Sequence, residues 1–282
     1  MVWVTELAAT PVKGLRLTPR SEVTIEAAGA RDNRRFYLID ERSRMVNGKQ
    51  LGPLSAVVAD YHHDSRRLTL TFPTGTMITG EVKTGAEVDV RFFSRPTRGR
   101  LVAGPWSAAL SEHVGRAVRL VQTLSPGRAG VDRGRAGAVS LISEASLDRL
   151  AEAAGETAVD ARRFRMLVQV DGTGPHQEDG WVGRRVRIGA ALVAMHGHVG
   201  RCLVITRHPD TGQVDLPALD LLRDYRAGSQ TTEPLAFGIY GEVLEPGVVR
   251  VRDEVVLAPR ALSLTSGRTG PPPSGLSSSP TE

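Results

Sequence analysis

Apolar and polar residues alternate over short stretches in the first third of the chain: "VWVTELAATPV", "SEVTIEAAG", "RRFYLIDERSRMV", "RLTLTFPTG" and "AEVDVRFF", punctuated by Gly, Pro and Asp. A period of two places alternate side chains on opposite faces of a pleated strand, and turn residues at this spacing favour an antiparallel sheet or small barrel. Residues 1–95 are therefore expected to form an N-terminal β-barrel-like domain. The period changes in "GPWSAALSEHVGRAVRLV", where Trp106, Leu110 and Val114 share one face of a short amphipathic helix and a strand follows. Residues 96–124 read as a connecting helix and strand.

Beyond a Gly- and Arg-rich loop, "SPGRAGVDRGRAG", the segment "VSLISEASLDRLAEAAG" starts as a strand and enters a helix. Ser143 and Ser146 suit its N-terminal cap, and Gly155 suits its far end. Strand patterning returns in "RFRMLVQVDG", "VRIGAALVAMHG", "RCLVITRH" and "EVVLAPR", with a helix expected around "ALDLLRDYR". Residues 125–260 thus read as a second β-rich domain with flanking helices, making the chain mainly β with α, an α+β class. Residues 261–282 are rich in Pro, Gly and Ser, have little to bury, and are expected to be disordered.

At 282 residues and 40% hydrophobic content the chain can bury more than one core. It contains no apolar run of membrane-spanning length, and its N-terminus lacks the plan of a signal peptide, so no membrane partner and a cytoplasmic address are expected. The net charge of +5 is spread along the chain and aromatics make up only 5%, so nucleic acid is not an expected partner.

Cys202 is the one cysteine. It has no disulfide partner in the chain and cannot supply the thiolates of an iron–sulfur cluster, so redox chemistry here needs an external electron donor. Three readings stay open on the residues alone. Cys202 could be a small buried hydrophobe. It could join His196 and His198 in a metal site if one unbroken strand carried all three. With Arg201 beside it, it could meet an anion or act as a thiolate. Lys13, Arg34, Arg35, Arg163 and Arg165 lie next to predicted strands, either as solvated edge charges or converging on a polyanion. No phosphate loop, Ser-His-Asp signature or His-Glu-x-x-His helix is present. The Gly- and Arg-rich loop reads as a flexible cover over a site.

The ordered segments "TPVKGL", "DNRRFYLIDERSRMVNGKQ", "WSAALSEHVGRAVRLV", "SLISEASLDRL", "RRFRMLVQV", "EDGWVGRRVRIG", "GRCLVITRHPDTGQVD" and "LAFGIYGEVLEPGVVRVRDEVVL" resemble the MOSC-domain proteins that carry an N-terminal β-barrel companion. The mitochondrial amidoxime-reducing components and bacterial relatives form part of that group. The resemblance spans residues 3–257 and implies a C-terminal MOSC-type barrel and a molybdenum cofactor (molybdopterin with Mo). Cys202 falls on the family's cysteine and becomes the candidate metal ligand and catalytic residue, consistent with thiolate as a soft donor. Lys13, Arg34 and Arg165 match basic positions that meet the cofactor in the family; Arg201 and Ser143 are further cofactor-binding candidates. Pyridoxal phosphate is a more distant association of the same resemblance.

The implied activity is reduction of small N-hydroxylated or N-oxide substrates, with electrons from a separate reductase or ferredoxin-like protein. The alternative is a non-catalytic carrier of the molybdenum cofactor or of sulfur, using a Cys202 persulfide. Four places depart from the family pattern. Gly14 and Gly200 stand where serine is common, Asn33 replaces an aspartate, and Met166-Leu167 replace a Pro-Asn pair.

Overall fold

The computed structural model describes residues 1–93, 95–124 and 133–259. The expected disordered tail, and most of the Gly- and Arg-rich loop, lie outside the described residues. Within them the chain is mostly strand with three α-helices, α1 (Trp106–Val114), α2 (Glu144–Ala154) and α3 (Ala218–Tyr225).

The largest sheet closes on itself as a seven-strand barrel. In order round the ring run Val2–Ala9, Val168–Asp171, Val139–Ser143, Ala236–Glu245, Ala191–Gly200, Arg185–Ile188 and Glu254–Leu257, which returns to Val2–Ala9. Every pairing is antiparallel except that of Val139–Ser143 with Val168–Asp171. That parallel pair is joined through α2, as a parallel connection requires a crossover. Closure leaves the ring without a free edge, and the inward residues Val4, Leu7, Leu141, Val168, Val186, Val193 and Ile239 form one apolar core. Val2–Ala9 starts the chain yet completes a barrel otherwise built after residue 139.

A second core lies between two smaller sheets. A five-stranded sheet runs in the order Lys83–Phe92, Arg95–Ala103, Arg119–Thr123, Phe36–Ile39, Met45–Val46, and a three-stranded sheet consists of Val58–His62, Arg67–Thr71 and Met77–Glu81. Trp106 and Leu110 of α1 are buried among Phe36, Leu38, Leu68, Leu70 and Leu120, the face that their spacing predicts. The Trp106 indole Nε1 donates to the Leu68 carbonyl at 3.2 Å, so its polar handle is satisfied within the core. The helices α2 and α3 pack Leu147, Leu150 and Leu222 over Phe164 and Phe237 on the barrel's flank.

The cap of α2 follows the sequence. Ser143 Oγ accepts from the Ser146 amide at 3.2 Å, and Gly155 ends the helix at φ +69. Glu178 adds to this cap: Ser143 Oγ and Ser146 Oγ donate to its carboxylate at 2.8 and 2.7 Å. Burial pushes the Glu178 carboxyl above its ordinary value of 4.5, against the hydrogen bonds, which act the other way. The folded chain therefore holds this proton more tightly than the unfolded chain. Its contribution to stability is complete below 4.5 and is lost as pH rises through the folded value. Glu178→Gln removes the charge and is expected to flatten that loss, which urea midpoints at about pH 4 and about pH 8 would check.

Candidate functional site

The strand Ala191–Gly200 slips register three times against Ala236–Glu245, at Leu192/Val193, Met195/Gly197 and His198/Gly200. It stops at Gly200, and Cys202 instead caps the short 3-10 turn Leu203–Thr206 with extended dihedrals, φ −138 and ψ 177. The reading of His196, His198 and Cys202 as one metal set fails for this reason. His196 is exposed and sits 3.4 Å from Glu242, whereas His198 is buried and its Nδ1 accepts from the Thr232 amide at 3.0 Å. Burial also pushes the His198 imidazole below its ordinary value. No cluster of three or more His, Cys, Asp or Glu suited to a metal occurs among the described residues.

The reading of Cys202 as a buried hydrophobe fails as well. The thiol is exposed and lines a cavity of about 290 Å³ between the barrel and the N-terminal sheets. Lys13, Arg34, Arg165 and Arg201 line the same cavity, so five of the six residues expected at a site meet there. Ser143 does not line it, because its hydroxyl is engaged in the α2 cap with Ser146 and Glu178.

The basic residues are held by backbone contacts. Arg34 and Arg165 both adopt left-handed φ, +55 and +54. For a side chain with a Cβ this costs on the order of 1 kcal/mol and persists only where neighbours impose it. Here Arg34 Nη2 donates to the Arg165 carbonyl and Arg165 Nη2 in turn to the Leu15 carbonyl, both at 2.8 Å. The brace joins the two halves of the molecule across the cavity. Lys13 follows the first barrel strand, its amide bonded to the Phe36 carbonyl at 2.8 Å and its Nζ 5.5 Å from the Phe92 ring centroid.

Arg201 has a different job. Its Nε donates to the Phe237 carbonyl at 2.8 Å and its Nη1 to the Phe164 carbonyl at 2.7 Å, while Nη2 reaches Met166 Sδ at 3.1 Å. Burial pushes the guanidinium down to about 9, which leaves it charged at neutral pH. It fixes the backbone beneath the thiol and spends its donors inside the protein.

Sequence reasoning missed Arg133, Arg162, Arg207, Phe93 and Tyr240, and left Arg163 undecided; all six line the cavity. Arg162 is held by Asp160 and by Asp210, whose carboxylate accepts two bonds at 2.8 Å, and Arg163 by Asp215 at 2.6 Å. Asp210 also lies 3.2 Å from Arg16 Nε, which ties the Pro-Asp-Thr-Gly turn after Cys202 to the N-terminal half. Hydrogen bonds from Arg162 and Arg163 hold Asp210 and Asp215 below the usual carboxylate range. The spacing of these aspartates in "HPDTGQVD" was the available signal. Among the described residues no acidic side chain lines the cavity itself. An accessible thiol beneath a wall of cations, with Arg207 Nε buried and lacking a hydrogen-bond partner among the described residues, fits an anionic group that carries a soft metal.

Comparison with known families decides the classification. The MOSC domain matches residues 128–256, and the MOSC N-terminal beta barrel domain matches residues 1–113. The chain is a MOSC-domain protein. Mitochondrial amidoxime-reducing component 1 of Xenopus laevis is 25% identical, over 89% of this chain and 81% of that protein. Mitochondrial amidoxime reducing component 2 of Bos taurus is 28% identical, over 89% and 82%. The molybdenum cofactor sulfurase of Oryza sativa subsp. japonica is 33% identical over 39% of this chain, but over only 14% of its own length.

The departures of this MOSC-domain protein from the family pattern now have physical content. Gly14 has φ +96, and a Cβ there would lie 3.2 Å from Asn47 Cα, so a serine would be strained. Asn33 Oδ1 accepts from the Thr10 amide at 3.2 Å, a local bond that an amide supports as well as a carboxylate. Met166 supplies the sulfur beneath Arg201. A Cβ at Gly200 would lie 2.5 Å from Glu233 Oε2, so glycine makes room for that carboxylate.

Proposed function

We propose that this MOSC-domain protein holds a molybdenum cofactor in the Cys202 cavity and reduces small N-hydroxylated or N-oxide compounds, with electrons from a separate reductase or ferredoxin-like protein. The observation that carries the reading is the exposed Cys202 thiol in a cavity lined by Lys13, Arg34 and Arg165. When bound, the cofactor supplies a two-electron couple for reducing an N–O bond. The chain's own residues bind and orient: Cys202 offers the thiolate ligand, Lys13, Arg34 and Arg165 meet the pterin phosphate, and Arg201 holds the ligand-bearing turn. A single cysteine leaves no internal iron–sulfur relay, hence the external donor. Among the described residues no helix is long and apolar enough to cross a membrane, and a cytoplasmic setting is part of the proposal.

The test is elemental and pterin analysis of the chain purified from a host that makes molybdopterin, followed by assay with an amidoxime and an artificial donor. Stoichiometric molybdenum and pterin with turnover support the reading. A persulfide on Cys202 without metal would replace it with a sulfur carrier. Lys13→Ala removes one charge-assisted contact and is expected to weaken pterin retention about tenfold, read as the rate of pterin loss on dilution.

A further inference from the structure

The strand that leads to Cys202 loses its neighbours before it ends. Arg185–Ile188 accompanies Ala191–Gly200 only as far as Ala194, and the ladder with Ala236–Glu245 slips at Met195/Gly197 and again at His198/Gly200. Arg201 and Cys202 lie between that strand and the 3-10 turn Leu203–Thr206, outside both. Regular pairing therefore does not fix the thiol, although a metal ligand must be held to within about 0.5 Å.

Side chains take over where the ladder fails. The His198 amide donates to Thr232 Oγ1 at 2.8 Å, and the Thr232 amide returns a bond to His198 Nδ1 at 3.0 Å. Two residues on, the Gly200 amide donates to Glu233 Oε2 at 3.1 Å. Residues two apart on a strand present their amides to the same side, so Thr232 and Glu233 stand in for a missing strand edge. The Arg201 amide continues the series with a 3.1 Å bond to the Leu235 carbonyl. This bracket is itself anchored. Arg133 forks onto the Glu233 carboxylate, with Nη2 2.9 Å from Oε2, and Thr231 Oγ1 donates to the Glu233 carbonyl at 2.8 Å. Gly200 lets the carboxylate in, since a Cβ there would lie 2.5 Å from Oε2.

We infer that Thr232 and Glu233 are positioning residues for Cys202: by holding the His198 and Gly200 amides they fix where the thiol stands in the cavity. The inference rests on Cys202 being the metal ligand proposed above. Neither residue lines the cavity, so each acts through the backbone that carries the thiol. Outer partners of this kind orient a ligand, and losing one typically costs about 10–100-fold in metal affinity.

The test compares Thr232→Val with Thr232→Ser, and Glu233→Ala with Glu233→Gln, in the full chain produced in a host that makes molybdopterin. Valine and alanine remove the accepting oxygen, whereas serine and glutamine keep one. Thr232→Val and Glu233→Ala are expected to release molybdenum, relative to pterin, about tenfold faster than wild type. They are also expected to alter the paramagnetic resonance spectrum of the partly reduced metal. Serine and glutamine are expected to restore both. Hydrogen exchange adds a readout that needs no cofactor: amides of residues 198–203 should exchange about fivefold faster in Thr232→Val and Glu233→Ala, with Arg119–Thr123 unchanged. An equal rise at Arg119–Thr123 would mark a general loss of stability and overturn the inference. Glutamine behaving as alanine would assign the effect to the charge lost opposite Arg133 and overturn the role of Glu233. Local exchange shifts with no molybdenum in the wild type would sink the cofactor reading alone; molybdenum bound, and released at the wild-type rate by every variant, would sink this one alone.

Discussion

Cys202→Ala is expected to fold like the wild type while losing its molybdenum and, with it, amidoxime reduction by at least about a thousandfold, equivalent to about 4 kcal/mol of transition-state stabilisation. The first half follows from exposure. The thiol makes no hydrogen bond that holds the turn, and substitutions away from cores and networks shift stability by about 0.5 kcal/mol or less. The second half follows from donor chemistry, since alanine offers the metal nothing and the charged side chains that line the cavity are all cations. Pterin should be lost less completely than metal, because Lys13, Arg34 and Arg165 remain. Lys13→Ala should instead lower pterin and metal together. Metal analysis, pterin fluorescence and a thermal melt on the same preparations separate these effects. Undiminished turnover in Cys202→Ala would remove the thiol from the chemistry and leave a divergent pocket.

Local pattern made much of the fold legible, and distance in sequence hid the rest. Val2–Ala9, Glu22–Glu26, Phe36–Ile39, Arg67–Thr71 and α1 to α3 all stand where periodicity and caps place them. Val58–His62, Met77–Glu81 and Arg95–Ala103 escaped notice because they are largely half-exposed or exposed and interrupt their apolar positions with glycine, polar or charged residues. Barrel closure was out of reach for another reason. It depends on Val2–Ala9 pairing with strands more than 150 residues away, and no local signal reports that partner.

The site divides in the same way. Lys13, Arg34, Arg165, Arg201 and Cys202 were legible through ordered resemblance. Arg133 and Glu233 were not, since they become neighbours only when Val139–Ser143, which follows Arg133, pairs with Ala236–Glu245, which follows Glu233. The His196, His198 and Cys202 reading assumed a regular strand, and the register slips at Gly197 and Gly200 broke it. Ser143 shows the converse. Its role as a helix cap was readable from its spacing to Ser146 and accounts for the residue without any ligand.

Replacing Arg201 by methionine is expected to cost about 3–5 kcal/mol, the largest stability loss foreseen at this site. The carbonyls of Phe164 and Phe237 both accept from its guanidinium, and they belong to a core where Phe164 is 2% exposed and Phe237 fully buried. Methionine fills part of the volume and donates nothing. Each abandoned carbonyl then bears a desolvation penalty of about 1–3 kcal/mol. Arg201→Lys keeps the charge, but a point ammonium cannot span two carbonyls as a planar fork does, so an intermediate loss is expected. Urea midpoints order the three proteins. The functional consequence is separable from stability: the 3-10 turn that presents Cys202 loses its underpinning, so cofactor retention should fall further in Arg201→Met than in an equally destabilised variant of the remote core, such as one at Leu120. Equal retention in the two would reduce Arg201 to a packing residue with no hold on the thiol.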